Sequence, residues 1–296
     1  MYKINNKGTL IYLTCLLCCL GLKTSFAQSS APVAYKIYAS ATQSEISLTE
    51  LVEATNDANV LFFGEEHNDT LAHWLQDTLY QLLLEEYTDV TLSLEMFETD
   101  AQLVLDEYLA GYITADKLRK DGRAWSNYTE AYASLVERAR DQSQQVVAAN
   151  TPRRYVSLVN REGADALLNL PKSSKAYLPP LPINTTNEGY YQRFQEIMGG
   201  AGHDFGYSMY EAQCTWDAGM AYSIFSSWRK AKKTLVFHLN GRFHTDYQQG
   251  TMAQLWELRS KLNLQNISCF PADDFDQPNW EAYVPLGDYI IISKKR

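Results

Sequence analysis

Six short, mostly apolar runs, separated by helix-patterned sequence, constrain this chain more than any other feature. Val60–Phe63, Val90–Leu94, Val146–Ala149, Thr234–Leu239, Ile267–Phe270 and Tyr289–Ser293 are each four to six residues long. Between them apolar residues recur at helical spacing, as in Leu71, Trp74, Leu75, Leu79 and Leu82. Helices are expected over 48–54, 100–110 and 124–140 as well. Strands of this length alternating with helices predict an α/β fold, a mostly parallel β-sheet flanked by helices on both faces.

The middle of the chain departs from this rhythm. Residues 171–187 hold four of the nine prolines and cannot form a long regular element. Helical stretches follow at 188–198 and 207–231, divided by the glycine-rich Gly199–Gly206. We read 171–231 as a helical insertion or lid, with the glycine-rich turn as its hinge.

The first 27 residues have the grammar of a secretory signal peptide: Lys3 and Lys7, an apolar stretch from Leu10 to Leu22, then Ser25-Phe26-Ala27. That stretch is short of the roughly 20 residues a spanning helix needs, so no integral membrane span is expected after cleavage. Thr14 precedes Cys15 and Leu17 precedes Cys18, which does not support a lipid anchor. Residues 28–45 read as a flexible leader and 46–296 as one domain. Cleavage leaves 23 basic and 35 acidic side chains, a formal charge of −12. Such a surface repels nucleic acid, whose binding relies on clustered Lys and Arg. Cys214 and Cys269 survive cleavage, and an exported location permits a bridge between them.

In open parallel sheets, ligands bind beyond the carboxyl ends of the strands. Here those ends carry Gly64-Glu65-Glu66-His67, Glu95, Asn150 and His238-Leu239-Asn240-Gly241-Arg242-Phe243-His244. Two Gly-x-x-His segments are therefore expected to face one pocket. Glu65, His67, Glu95 and His244 form a set that could bind Zn, Mn or Co, or act as base and orienting partner. Each segment alone is equally an ordinary turn whose acids favour a helix N-terminus. His73 could line the pocket or sit as a satisfied helix-surface residue. Trp125, Tyr128, Tyr132 and Leu135 or Val136 form a helical stripe of the kind usually used for core packing, yet a tyrosine phenolate can also ligate haem iron. Arg123 could pair with a propionate through its planar fork. The insertion supplies Met198, His203, Tyr207, Met209 and Met220. Gln213 and Asp217, one helical turn apart, mark either an inward polar pair or a solvated face.

The segments VLFFGEEH (60–67), LSLEMF (92–97), Trp125–Tyr128, VVAANTPRRYV (146–156), Gln213–Ala221 and HLNGRFHTDYQQG (238–250) together resemble the ChaN-like haem-binding uptake family, within the group that includes the Tiki, TraB and erythromycin esterase-like proteins. The resemblance implies an exported, periplasmic or outer-membrane-associated protein that binds haem and assists iron acquisition with an outer-membrane uptake system. It also implies a homodimer with tyrosine as iron ligand and histidine nearby. Tyr128 is the carried-over ligand, with Arg123, Trp125, His67, His73, His203, Met209 and Met220 as haem contacts. The Tiki and TraB branch implies the alternative, a metal-dependent hydrolase using Glu65, His67, Glu95 and His244.

Overall fold

All six apolar runs are strands of one eight-stranded sheet in the computed structural model, which describes residues 34–199, 206–231 and 234–295. In chain order the strands are β1 (Tyr35–Ala39), β2 (Ser44–Ile46), β3 (Val60–Glu65), β4 (Val90–Glu98), β5 (Val146–Asn150), β6 (Leu235–Gly241), β7 (Leu264–Ala272) and β8 (Tyr289–Lys294). They lie side by side as β2-β1-β8-β7-β3-β6-β4-β5. Pairing is parallel from β8 through β5, and antiparallel only where β1 meets β8 and β2.

Those two antiparallel strands correct the flexible-leader reading of 28–45. Ile37 is buried on β1 opposite Ile291, so the alternation in Tyr35-Lys36-Ile37-Tyr38-Ala39 completes the sheet edge. Residues 1–27, expected to be a signal peptide, lie outside the described residues.

Successive strand side chains point to opposite faces, and the two faces carry different helices. Leu61, Phe63, Leu92, Leu94, Phe237 and Leu239 enter the main core. That core is covered by α1 (Leu48–Glu53), α2 (Thr70–Glu86), α3 (Gln102–Leu109), α4 (Ala115–Asp121), α5 (Tyr128–Ala131) and α6 (Ala133–Asp141). Asp69 starts α2 by accepting a hydrogen bond from the Leu71 amide, the usual solution for an unpaired helix N-terminus. After α7 (Arg153–Glu162), α8 (Lys172–Lys175) and α9 (Glu188–Gly199) come α10 (Tyr207–Lys230) and α11 (Gly250–Leu258). These last two cover Val60, Phe62 and Val236 on the second face. The chain adds α12 (Trp280–Tyr283) before β8. Each fully buried Leu, Ile or Phe contributes about 1.5–3 kcal/mol, so both faces are held strongly.

The boundary of the insertion needs correcting as well. α10 is a layer helix packed on β5, α7 and α11, not part of a lid. Gly219 shows why. A Cβ there would stand 2.0 Å from the Thr151 hydroxyl, so only glycine lets α10 approach β5 this closely. The excursion from the sheet is thus 171–199. Among the described residues, no helix is long and apolar enough to cross a membrane. Cys214, on α10, and Cys269, on β7, are buried and unbridged.

Candidate ligand cavity above the strand ends

The sheet register brings the two Gly-x-x-His segments together. On adjacent parallel strands Gly64 pairs with Asn240 and Glu65 with Gly241. The Gly241 amide donates to Glu95 Oε2 at 2.7 Å, which ties in the end of β4. A Cβ on Gly241 would lie 2.8 Å from both Cε1 and Nε2 of His67, so the imidazole of one segment rests on the glycine of the other.

Each histidine is held by a carboxylate, from opposite faces of the sheet. His67 Nδ1 donates to Glu65 Oε1 at 2.9 Å. Glu65 is buried, and also accepts from Gln76 Nε2 at 2.6 Å and the Tyr132 hydroxyl at 2.5 Å. On the other face, His244 Nδ1 donates to Asp217 Oδ1 at 2.7 Å. Asp217 is fully buried and accepts from Tyr190 at 2.8 Å and Thr251 at 2.9 Å. The second nitrogen of His244 lies 3.6 Å from Glu95 Oε1. A carboxylate on one ring nitrogen fixes the ring's orientation and raises the basicity of the other. Burial disfavours the charged form of both rings, but the acids outweigh it. Asp217 and Glu95 raise the His244 pKa to about 9, and Glu65 and Glu95 raise that of His67.

Above them lies a cavity of about 1010 Å³, at the upper end of the roughly 300–1,000 Å³ common for ligand pockets. Its walls include Trp125, Trp216, Phe194, Phe243 and Ile197. Trp125 stands edge-on to His67, with ring centroids 4.9 Å apart. The His67 side chain is 42% exposed, that of His244 only 9%. Tyr247 lines the mouth, 47% exposed, with Arg193 5.2 Å from its ring. Its φ of 61° is left-handed, a conformation that costs a non-glycine residue on the order of 1–3 kcal/mol and tends to occur at functional sites.

The sequence-derived candidates sort clearly against this geometry. His67, Glu65, Glu95, His244, Trp125, Asn150, Met198 and Gln213 all line the cavity. Gln213 and Asp217 are therefore an inward pair. Tyr128 does not line it: the side chain is 3% exposed, packed edge-on to Phe97 in the main core, where burial pushes its phenol pKa up. Arg123 is also elsewhere, paired with Glu98 and Asp100. His73 lies behind the wall, 3.5 Å from Glu65 Oε2. Met209 packs in the cluster around Tyr155 and Tyr210, and Met220 is fully buried against Val147 and Ala149. His203 lies outside the described residues. Among the described residues no three His, Cys, Asp or Glu groups converge on a common ion. Sequence reasoning missed Arg193, Trp216 and Tyr247. Tyr247 sits inside the 238–250 motif itself, whose histidines and glycines drew the attention.

Comparison with known proteins agrees with this architecture. The family model for haem-binding uptake, Tiki superfamily, ChaN, matches residues 51–255. Among solved structures the chain is similar to ChaN of Campylobacter jejuni, described for cofacial haem binding. The TM-score is 0.67 and the identity 18%, over 88% of this chain and 97% of that one. Weaker likenesses are an erythromycin esterase mutant, EreC, in its open conformation and the type III effector HopBA1. For EreC the TM-score is 0.49 at 12% identity, over 88% of this chain and 83% of the other. For HopBA1 it is 0.47 at 12%, over 90% and 99%. No curated protein matches the sequence. With the family model spanning well over half its length, the chain belongs to the ChaN family of haem-binding uptake proteins in the Tiki superfamily.

Proposed function

We propose that this chain is an exported envelope protein that holds haem as cargo in the cavity above the strand ends and so assists haem and iron acquisition. The observation that carries the reading is the meeting, in one cavity of about 1010 Å³, of flat aromatic walls with an accessible imidazole and an accessible phenol. The walls suit a porphyrin face. Tyr247 is the phenol that reaches the cavity, and phenolate is a known haem-iron ligand. His67 is the imidazole, held through Nδ1 so that Nε2 is its remaining Lewis base. The tyrosine-with-histidine arrangement expected of the family therefore falls on Tyr247 and His67 in place of Tyr128.

A second copy of the chain fits the same reading. Ile197, Met198 and Tyr247 line the cavity and are 61%, 38% and 47% exposed. A partner molecule would cover that apolar edge, as cofacial haems require, and an outer-membrane uptake system would receive the cargo. Hemin titration of the mature protein tests the core of the proposal. A saturable Soret shift at micromolar hemin is expected, with a larger hydrodynamic size in the loaded form. Unperturbed free-hemin absorbance throughout would end it.

A further inference from the structure

Three arginines line the cavity, and they differ in what already occupies them. Arg193 donates to the backbone carbonyls of Phe243 and Asp246 and lies 4.3 Å over the Phe243 ring. Arg242 pairs with Asp246 at 2.7 Å and with Glu66 at 3.3 Å. Arg153 is exposed and, among the described residues, has no carboxylate within ion-pair distance. Its neighbour Arg154 makes the contrast plain, pairing with Asp100 and lying 4.4 Å over the Tyr155 ring.

Two further features stand beside Arg153. It opens α7, a helix of ten residues whose first turn has no side-chain cap. The unpaired amides and positive dipole end there favour an anion. Asn150, at the end of β5, also lines the cavity. It is 7% exposed and its buried Oδ1 has no hydrogen-bond partner. The Oδ1 atom is the enclosed end of this amide, which leaves the NH₂ group, without a hydrogen-bond acceptor among the described residues, as the end that faces the cavity.

We propose that Arg153, the α7 N-terminus and Asn150 form the carboxylate-anchoring site of the cavity, which grips the propionates of a bound porphyrin and fixes the edge it presents to the α7 wall. The inference rests on the haem reading and adds the ligand's orientation to it. The guanidinium fork matches a carboxylate in bidentate geometry. The other two cavity arginines are spent on the protein itself. Arg153 is the one whose charge is left for a ligand.

The test compares hemin with its dimethyl ester, in which both propionates are capped, on the mature wild-type protein and on Arg153→Ala. Wild type is expected to prefer hemin by at least about tenfold, the worth of one charge-assisted hydrogen bond. Arg153→Ala should weaken hemin by a similar factor, leave the ester unchanged and so erase the preference. Arg153→Lys, which keeps the charge but not the fork, should restore part of it. Equal affinity of wild type for hemin and ester overturns the anchoring site, as does an Arg153→Ala protein weakened equally for both. A wild-type protein that responds to neither porphyrin overturns the haem reading itself, and the anchoring with it.

Discussion

His67 and His244 both close a Gly-x-x-His segment, and both give a ring nitrogen to a buried carboxylate, yet their surroundings differ. Glu65 and His67 are two residues apart, and only the acid is buried; the His67 ring is 42% exposed over the cavity. Asp217 and His244 are 27 residues apart and both are enclosed, with Tyr190 and Thr251 on the same carboxylate. The first pair is a local turn that presents an imidazole. The second is a long-range bond that fastens α10 to the turn after β6. Equal motifs thus take unequal roles, and access to the cavity is what separates them.

The largest way to break this comparison is Asp217→Ala. It leaves a buried imidazolium and two hydroxyls without their acceptor, and removing one partner of a buried pair costs about 3–5 kcal/mol. Urea unfolding should show a loss of that order. A change below about 1 kcal/mol would mean that the second pair is not a fastening.

The pH response of the same pair is next. With the His244 pKa raised to about 9 from an ordinary 6.5, its contribution is fully present below pH 6.5. It is lost as pH rises through about 9. Wild-type stability should fall over that window relative to His244→Gln, and parallel pH profiles for the two proteins would refute the assignment.

Gly241→Ala sharpens the contact between the segments. The new methyl would stand 2.8 Å from the His67 ring and push it off its seat. The expected result is roughly tenfold weaker hemin binding, with a stability cost of about 1–3 kcal/mol typical of overpacking. Unaltered hemin affinity would show that the seat does not matter.

Tyr128→Phe should do least. The hydroxyl lies in the main core, away from the cavity, so hemin affinity is expected to match wild type. A clear loss of the Soret response would return the iron contact to Tyr128.

Much of this architecture is legible in the amino-acid pattern, because strands apolar on both faces leave a strong local signal. Val60–Phe63 and Thr234–Leu239 announce themselves, and the polar residues after them mark the site edge. The strand Tyr35–Ala39 is weaker, since its residues alternate between buried and half-buried positions and resemble a polar leader. Tyr128 and Tyr247 show the other limit. Both are tyrosines inside family-like motifs, and only the fold decides that one points into the main core while the other is turned out by a left-handed backbone at the cavity mouth. Likewise α10 looks like an insertion by composition, and its small residues become meaningful only once Gly219 is seen against Thr151.

In this arrangement His67 faces the ligand while His244 serves the fold. Hemin titration and thermal unfolding of His67→Ala beside wild type address that claim directly. Hemin affinity should be weaker by at least about tenfold, with the unfolding temperature unchanged because the ring is half exposed. A His67→Ala protein that binds hemin as wild type does, or that loses hemin only because it unfolds, would contradict it.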